Sequence, residues 1–550
     1  MSESYWAQTA DARPYPALDE DINADVAVAG GGMAGVCAAW ELARLGRSVV
    51  VLEAERVAGG VTGHTTGKLS VQHGLVYARL REALGPAAAR MYAESQADAV
   101  EHVVATAAEL GVRCGIERRP AWVYAAEPGA AAGQDAAVAA EAAAAREAGV
   151  PAELFDTADL PFPTGAALRV GDQVQFHPRR YLLALADDLA RHGGRVFENT
   201  RVTGLHEGRP VRVTTSAGHT VTAADVVLAT HYPVLDGSTA FTRLIPRREL
   251  VVASPVDAGR APDGMYMTPF GGVRSVSGAP LDGGRRLLIV AGERSRTGDP
   301  GVTARFGRLA AWARERFGVR AFSHHWATQD NWTTDGVPYV GRFRPSSRHV
   351  YVATGFGGWG LSGGAMAGRL LADLVWDGEA EWSALYDPRR ARPAGGSGVA
   401  GASGIAGGAG AAGAAGAAEA TGATGDIGTA GAGRASEVTG AADRGAPAAP
   451  RAFADDPLPA AHGPQGMAAI EPGGGAVVRL HGLPCAIHRD DVGALHAVSA
   501  VCPHLGCLVA FNDAELSWDC PCHGSRFGTD GRLLNGPATA PLEQRDPGPG

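Results

Sequence analysis

Long apolar runs are missing from this chain of 550 residues. None approaches the ~18 consecutive apolar residues that a bilayer-crossing helix requires, which excludes a spanning helix and leaves peripheral membrane contact open. The first residues, MSESYWAQTADARPYP, lack the charged-then-apolar pattern of a secretory leader, so a cytoplasmic location is expected. Cysteine is scarce, with seven in all, too few for a disulfide scaffold. Positive charge does not prevail: 49 Lys+Arg against 58 Asp+Glu give a net charge of −9. That balance argues against nucleic acid as a partner. The hydrophobic share, 45%, is ordinary for a globular protein with a sizeable core, and the length suggests about three or four domains.

What is present begins with Asp25–Glu53, DVAVAGGGMAGVCAAWELARLGRSVVVLE. It reads as strand, glycine turn, helix, strand. Gly30, Gly32 and Gly35 have the G-x-G-x-x-G spacing. An apolar helix from about Met33 to Leu45 is stopped by Gly46, and the strand Ser48–Leu52 ends on Glu53. Gly30 permits the tight turn, Gly32 lets a pyrophosphate approach the backbone, and Gly35 lets helix and strand pack closely. The helix N-terminus offers N–H groups to phosphate, and Glu53 is placed to accept from a ribose. Dinucleotide binding is the expectation.

The next stretch, AERVAGGVTGHTTGKLSVQHGLVY, is dense in Gly and Thr. Gly60 suits close approach of a cofactor, and Thr62 can donate to it. His64 and Lys68 are the polar heads that could reach a reactive ring, with a plain surface loop as the alternative. Leu80 to Leu110 reads as helical with small gaps, and Ala130 to Gly149 as a mostly exposed Ala-rich helix. His177, before Pro178, is expected to cap a helix or sit in the core. Residues 240–330 alternate strand-like runs with one helix, Val302–Phe317, as in a mixed sheet that carries substrate. Arg294 there could hold a substrate carboxylate.

A second G-x-G-x-x-G match, Gly355, Gly357 and Gly360 with Gly358 between, comes after a strand and opens a helix. No second strand with a terminal acid lies about 20 residues on, as a separate nucleotide fold would need. The turn is therefore expected to aim a helix N-terminus at the first cofactor, where its dipole stabilises negative charge.

From about 393 to 465 the chain is mostly Ala, Gly, Ser, Thr and Pro. Nothing there can bury a core, so a disordered linker is expected. A coil of that length spans roughly 45 Å and holds the C-terminal segment at about millimolar effective concentration. That segment contains CPHLGC (Cys502–Cys507) and CPCHGS (Cys520–Ser525). Cys502, His504, Cys520 and His523 supply two thiolates and two imidazoles, one of each per loop. That is the Rieske [2Fe–2S] arrangement. A structural zinc site, the rival, usually places its cysteines together and its histidines together.

Residues from about 22 to 388 resemble the FAD-dependent D-amino-acid-oxidase/glycine-oxidase-like family, through GGGMAG with Glu53, GDQVQFHP, TDGVPYVG and GFGGWGLSGG. The resemblance implies an α/β FAD-binding Rossmann-type domain with an interleaved mixed-sheet substrate domain (α+β). It implies that Val202 meets FAD through its backbone, that the closing Gly turn meets the isoalloxazine, and that a C–N bond is oxidised by hydride transfer. Residues 471–542 resemble Rieske ferredoxin-type domains, small and all-β. That resemblance implies a Cys507–Cys522 disulfide clamping the cluster loops and a Ser525 hydrogen bond to a cluster sulfur. Phe527 stands where a tyrosine is frequent, which implies a lower potential.

The expected domains are a lead-in at 1–21, the oxidoreductase at 22–392, the linker at 393–465 and the cluster domain at 466–550. Within the oxidoreductase, nucleotide-binding parts fall at about 22–80, 171–235 and 330–388, with substrate-domain parts between. The expected partners are a small-molecule substrate and an electron acceptor or donor. The expected function is oxidation of a small amine or amino-acid-like substrate by FAD, with electrons passed singly to the cluster. The alternatives are a redox sensor without committed turnover, a reductase running the other way, or an NAD(P)H-dependent reductase subunit.

Overall fold

The computed structural model describes residues 3–126, 132–233, 244–390 and 467–547. The expected linker lies outside the described residues. A run of strand-forming valines, buried on both faces, builds the centre of the first sheet. Ile22–Ala29 pairs in parallel with Val49–Leu52 on one side and Thr220–Leu228 on the other. The path continues outward to Arg195–Phe197 at one end and to Val350–Thr354 and Tyr339–Arg342 at the other. Such two-sided burial is why these strands read as continuous apolar runs rather than alternating ones.

Helices Met33–Arg44 and Gly360–Trp376 pack against each other in the largest core cluster. The approach is close enough that a Cβ on Gly368 would lie 2.5 Å from Cys37 Cβ. His177 caps Pro178–Arg191, its side chain accepting from Arg180 N.

A nine-stranded sheet stands beside this one, in the order His324–Thr333, Leu244–Asp257, Arg285–Arg296, Arg274–Leu281, Met265–Thr268, Glu117–Tyr124, Ala167–Gln175, Lys68–Leu69, with Ala152–Phe155 off the path. Helix Val302–Phe317 covers one face through Leu309, Ala313 and Phe317. The C-terminal part is two four-stranded antiparallel sheets, Gly475–Leu480 to Gln544–Arg545 and Ala510–Asn512 to Leu533–Asn535. Cys485, outside the motif, is core there, as Cys114 is in the large lobe.

The gap expected in the helical 80–110 stretch falls at Gly85, whose φ of 87° ends Val76–Leu84 before Pro86–Glu109 begins. One helix expectation needs correction. The Ala-rich helix Ala132–Glu147 is not mostly exposed. Val138, Ala142, Ala144 and Ala145 lie in the core, because alanine lets this helix approach its neighbours closely. Its Glu141 is fully buried and accepts from Tyr77 N (3.0 Å), Ala78 N (2.8 Å) and Gln72 Nε2 (2.8 Å). It thus caps the Val76–Leu84 helix, whose own N-cap residue Leu75 supplies no side-chain bond. Glu141→Ala strands these donors and is expected to cost about 2–4 kcal/mol in urea unfolding.

Candidate functional site

The parallel strands Ile22–Ala29, Val49–Leu52 and Thr220–Leu228 end at a cavity of 260 Å³. Gly30, Gly31 and Gly32 line it with Glu53, Gly60, Thr62, Arg201 and Val202. Gly30 has φ 110°, and Gly35 packs beneath it: a Cβ on Gly35 would stand 2.0 Å from Gly30 O. The helix Met33–Arg44 has Gly32 as N-cap and so no capping side chain of its own. Thr62, from the following loop, fills that role and accepts from Met33 N at 3.1 Å. The Glu53 carboxylate accepts from Gly31 N (2.7 Å) and Glu55 N (2.9 Å), while burial pushes its pKa up.

The other end of the cavity is built by Gly358, Gly360, Leu361, Asp330, Trp332, Thr328, Arg247, Glu249 and His231. Gly358 N donates to Asp330 Oδ2 at 2.5 Å, which ties the carboxylate to the opening turn of the Gly360–Trp376 helix. His231 Nδ1 lies 3.9 Å from Asp330. Burial pushes the aspartate up and the histidine down, toward the uncharged form of each.

Eight of the expected cofactor residues therefore meet in one cavity: Gly30, Gly32, Glu53, Gly60, Thr62, Val202, Gly358 and Gly360. Gly35 and Gly357 stand behind its wall, the latter donating to Asn331 O at 3.0 Å. The three reactive-site candidates are not in that lining. His64 folds back on its own turn, Nδ1 to Gly60 O at 2.9 Å. Arg294 is held by Glu249 and lies over Trp332, 4.4 Å from the ring centroid. A carboxylate of the chain thus engages the arginine assigned to a substrate carboxylate.

Lys68 bonds Ser275 Oγ, and burial pushes its ammonium down to about 8. It opens on a second, smaller pocket with Gln72, Trp122, Tyr266, Met267 and Trp359. Trp359, which lines this pocket, lies in the chain between Gly358 and Gly360, which line the larger cavity.

Sequence reasoning missed His231, Asp330, Trp332 and Arg247. The available signal was Gln329-Asp330-Asn331-Trp332, a polar and aromatic run inside a buried strand.

The cluster candidates come from two loops of the C-terminal sheets. The Cys502 and Cys520 side chains are buried and hydrogen-bonded to each other. Backbone N–H groups of His504 and Leu505 point at Cys502, and those of Cys522 and His523 at Cys520. The His504 and His523 rings lie 5.0 Å apart, edge to face. Cys507 and Cys522 form a disulfide across the two loops. Two buried thiols and two imidazoles, one of each on either loop, suit a two-iron cluster with one thiolate pair and one histidine pair. The helix N-terminus at Gly32 and a cavity lined by both Glu53 and Trp332 suit a dinucleotide.

The cluster domain does not stand apart from the cavity. Its Leu534, Asn535 and Gly536 belong to the same lining. Tyr232, next to His231, meets both histidine rings, with centroids 6.3 Å from His504 and 6.0 Å from His523. Among the described residues, no helix is long and apolar enough to cross a membrane.

Comparison with known proteins agrees with this geometry. A family model described as FAD dependent oxidoreductase matches residues 25–374, and one described as Rieske [2Fe-2S] domain matches residues 467–545. The Rieske 2Fe-2S iron-sulfur protein YhfW of Bacillus subtilis is 30% identical over 99% of this chain and 97% of its own. The gamma-glutamylputrescine oxidoreductase of Escherichia coli is 26% identical, covering 69% of this chain and 90% of its own. The crystal structure of glycine oxidase from Geobacillus kaustophilus superposes with a TM-score of 0.55 at 21% identity, covering 67% of this chain and 99% of that one.

Proposed function

Since this chain belongs to the FAD dependent oxidoreductase family and carries a Rieske [2Fe-2S] domain, we propose that it oxidises a C–N bond of a small amine or amino-acid-like substrate and passes the electrons singly through the cluster to an external acceptor. The observation that carries this reading is one cavity walled by both the dinucleotide fingerprint and the cluster domain. The similarity to the gamma-glutamylputrescine oxidoreductase supports an amine-class substrate. Bound in this chain, FAD supplies a two-electron acceptor and the cluster a one-electron outlet.

Gly30, Gly32, Gly60 and Thr62 would hold the pyrophosphate end, Glu53 the ribose, and Val202 the cofactor through its backbone. Gly35 and Gly357 would support that cradle from behind. Gly358 and Gly360 would turn a helix N-terminus toward the ring. Cys502, His504, Cys520 and His523 would hold the cluster. Glu53→Gln places an NH₂ against a backbone N–H that the carboxylate now accepts. It is expected to weaken FAD binding about ten- to hundredfold, as loss of a charged acceptor does, read by flavin retention on dialysis.

The smaller pocket has 10 Å³ of free space, room for about one water, so only a small group enters without rearrangement. Trp359, Tyr266 and Met267 wall it, and Lys68 holds or releases a proton at its Nζ. An amine must be uncharged to lose hydride from its carbon, and neutral Lys68 accepts the proton of the incoming ammonium. Below a pH of about 8 Lys68 is itself charged. The anaerobic rate of flavin reduction is therefore expected to rise through that pH in the native protein and to lose the rise in Lys68→Met. A profile unchanged by the substitution would remove Lys68 from this role.

The deciding experiment is anaerobic titration with small amines and amino acids, read by flavin absorbance and by EPR of the reduced cluster. Reduction by dithionite but by no candidate substrate would overturn the amine reading. Zinc in place of iron and sulfide would overturn the cluster. A redox sensor is best served by an exposed cluster, and histidines packed against Tyr232 do not favour that alternative.

A further inference from the structure

We infer that the cluster domain works while docked, as a fixed redox neighbour of the flavin cavity, and that Tyr232 is the contact between them. This rests on the proposed pairing of flavin and cluster, and replaces a swinging tether by a latched interface.

The strands Leu244–Asp257 and His324–Thr333 are the partition. Arg247 and Glu249 face the cavity, and so do Thr328, Asp330 and Trp332. Arg248 and Gln329, which pair across the two strands, face the cluster domain instead. The period of two in a strand puts alternate side chains on opposite faces, so one sheet separates the two centres. A single sheet is one backbone layer, and electron tunnelling falls steeply with distance, so a one-layer partition favours transfer.

The latch is ionic and buried. Arg248 pairs with Glu515, which also meets Arg526 at 3.1 Å, and Arg526 meets Asp519 at 2.9 Å. All four residues are buried, and two positive charges balance two negative ones. Asn512 Nδ2 donates to Glu515 (3.1 Å) and to Asp519 (2.9 Å). Asp513 caps the Val302–Phe317 helix of the other domain, accepting from Val302 N at 2.9 Å, where the helix dipole favours a carboxylate. Gln329 Nε2 donates to Gly524 O at 2.8 Å, one residue past His523. A Cβ on Gly524 would lie 2.8 Å from Pro246 Cβ, and its φ of 83° suits glycine. The seam admits no further atom there. It presses the His523 loop onto the partition and both histidine rings onto Tyr232.

Each transfer moves one electron from reduced flavin to the oxidised cluster, turning one Fe(III) into Fe(II). Two transfers, with a one-electron acceptor protein emptying the cluster between them, return the flavin to its oxidised form and release its proton to solvent.

The test uses the full-length holoprotein. Amide exchange at Val302 and Thr303 reports docking without any turnover. A laser flash with EDTA as electron donor reduces the flavin without substrate, and cluster bleaching reports the transfer. Failure of the amine reading therefore leaves this test intact. Slow exchange is expected in the native protein. Tyr232→Leu should leave exchange and cofactor content unchanged and slow bleaching about tenfold or more, with Tyr232→Phe within about threefold of native, as expected for a displaced contact. The midpoint potential, measured in each variant, separates that from a changed driving force. Arg248→Met should raise exchange and slow bleaching together. Fast exchange in the native protein, bleaching unaffected by Tyr232→Leu, or bleaching unaffected in an undocked Arg248→Met would each overturn the proposal. If Arg248→Met does not fold, the native exchange and the Tyr232 pair still decide it.

Discussion

Arg248→Met is expected to lower the unfolding free energy by about 3–5 kcal/mol, the usual cost of stranding a buried charge. Arg248 and Arg526 face Glu515 and Asp519 in the native seam, a neutral set. Without Arg248, two carboxylates share one guanidinium in a place that water does not reach. Adding Glu515→Gln restores neutrality and should recover a good part of the loss, because burying an uncharged amide costs far less than burying a lone carboxylate. Urea unfolding of the single and double variants, tracked by flavin fluorescence and cluster absorbance, separates stranded charge from lost packing. If the double variant is no more stable than the single one, the loss comes from packing. Burial raises the Asp519 carboxyl, but Arg526 and Arg248 outweigh it and hold the group below its ordinary range.

The second large effect is expected at Gly35. A methyl there stands 2.0 Å from Gly30 O, and the nearest neighbours are backbone, which cannot swing aside. Gly35→Ala must push the Met33–Arg44 helix away from the turn that would carry the pyrophosphate. The expected cost is about 3 kcal/mol, the upper end of ordinary overpacking, with loss of bound FAD. Gly60→Ala is the control, since a Cβ there meets nothing within 4 Å. It should fold normally and show whatever the cofactor alone feels. A yellow, stable Gly35→Ala protein would remove the fingerprint from its proposed place.

Local signals in this chain were legible in the order of their physical specificity. The G-x-G-x-x-G turn needed only a strand before it and an acid after it, all within Asp25–Glu53. The two cluster loops carry their four proposed ligands in the motif itself. His177 before Pro178 announced a cap, and the cap is there. The reactive-site candidates were harder. His64 and Arg294 have suitable chemistry, but the fold engages both: His64 meets the Gly60 carbonyl of its own turn, and Arg294 the Glu249 carboxylate 45 positions away. Ala132–Glu147 misled for the opposite reason. Its alanines look solvent-tolerant, while their small size is what lets Glu141 be buried against two neighbouring segments.

The sequence by itself determined the dinucleotide turn, the two-thiolate, two-imidazole set and the composition that separates the lobes, because each is a short-range pattern whose chemistry does not depend on distant residues. Tertiary structure alone decided where the lobes meet. Arg248 and Glu515 are 267 positions apart, and nothing local marks either as the other's partner. The alternation along Arg247-Arg248-Glu249 acquires meaning only once a cavity lies on one face of the strand and an ionic seam on the other. The closeness of Tyr232 to His504 and His523 comes from that long-range pairing of charges.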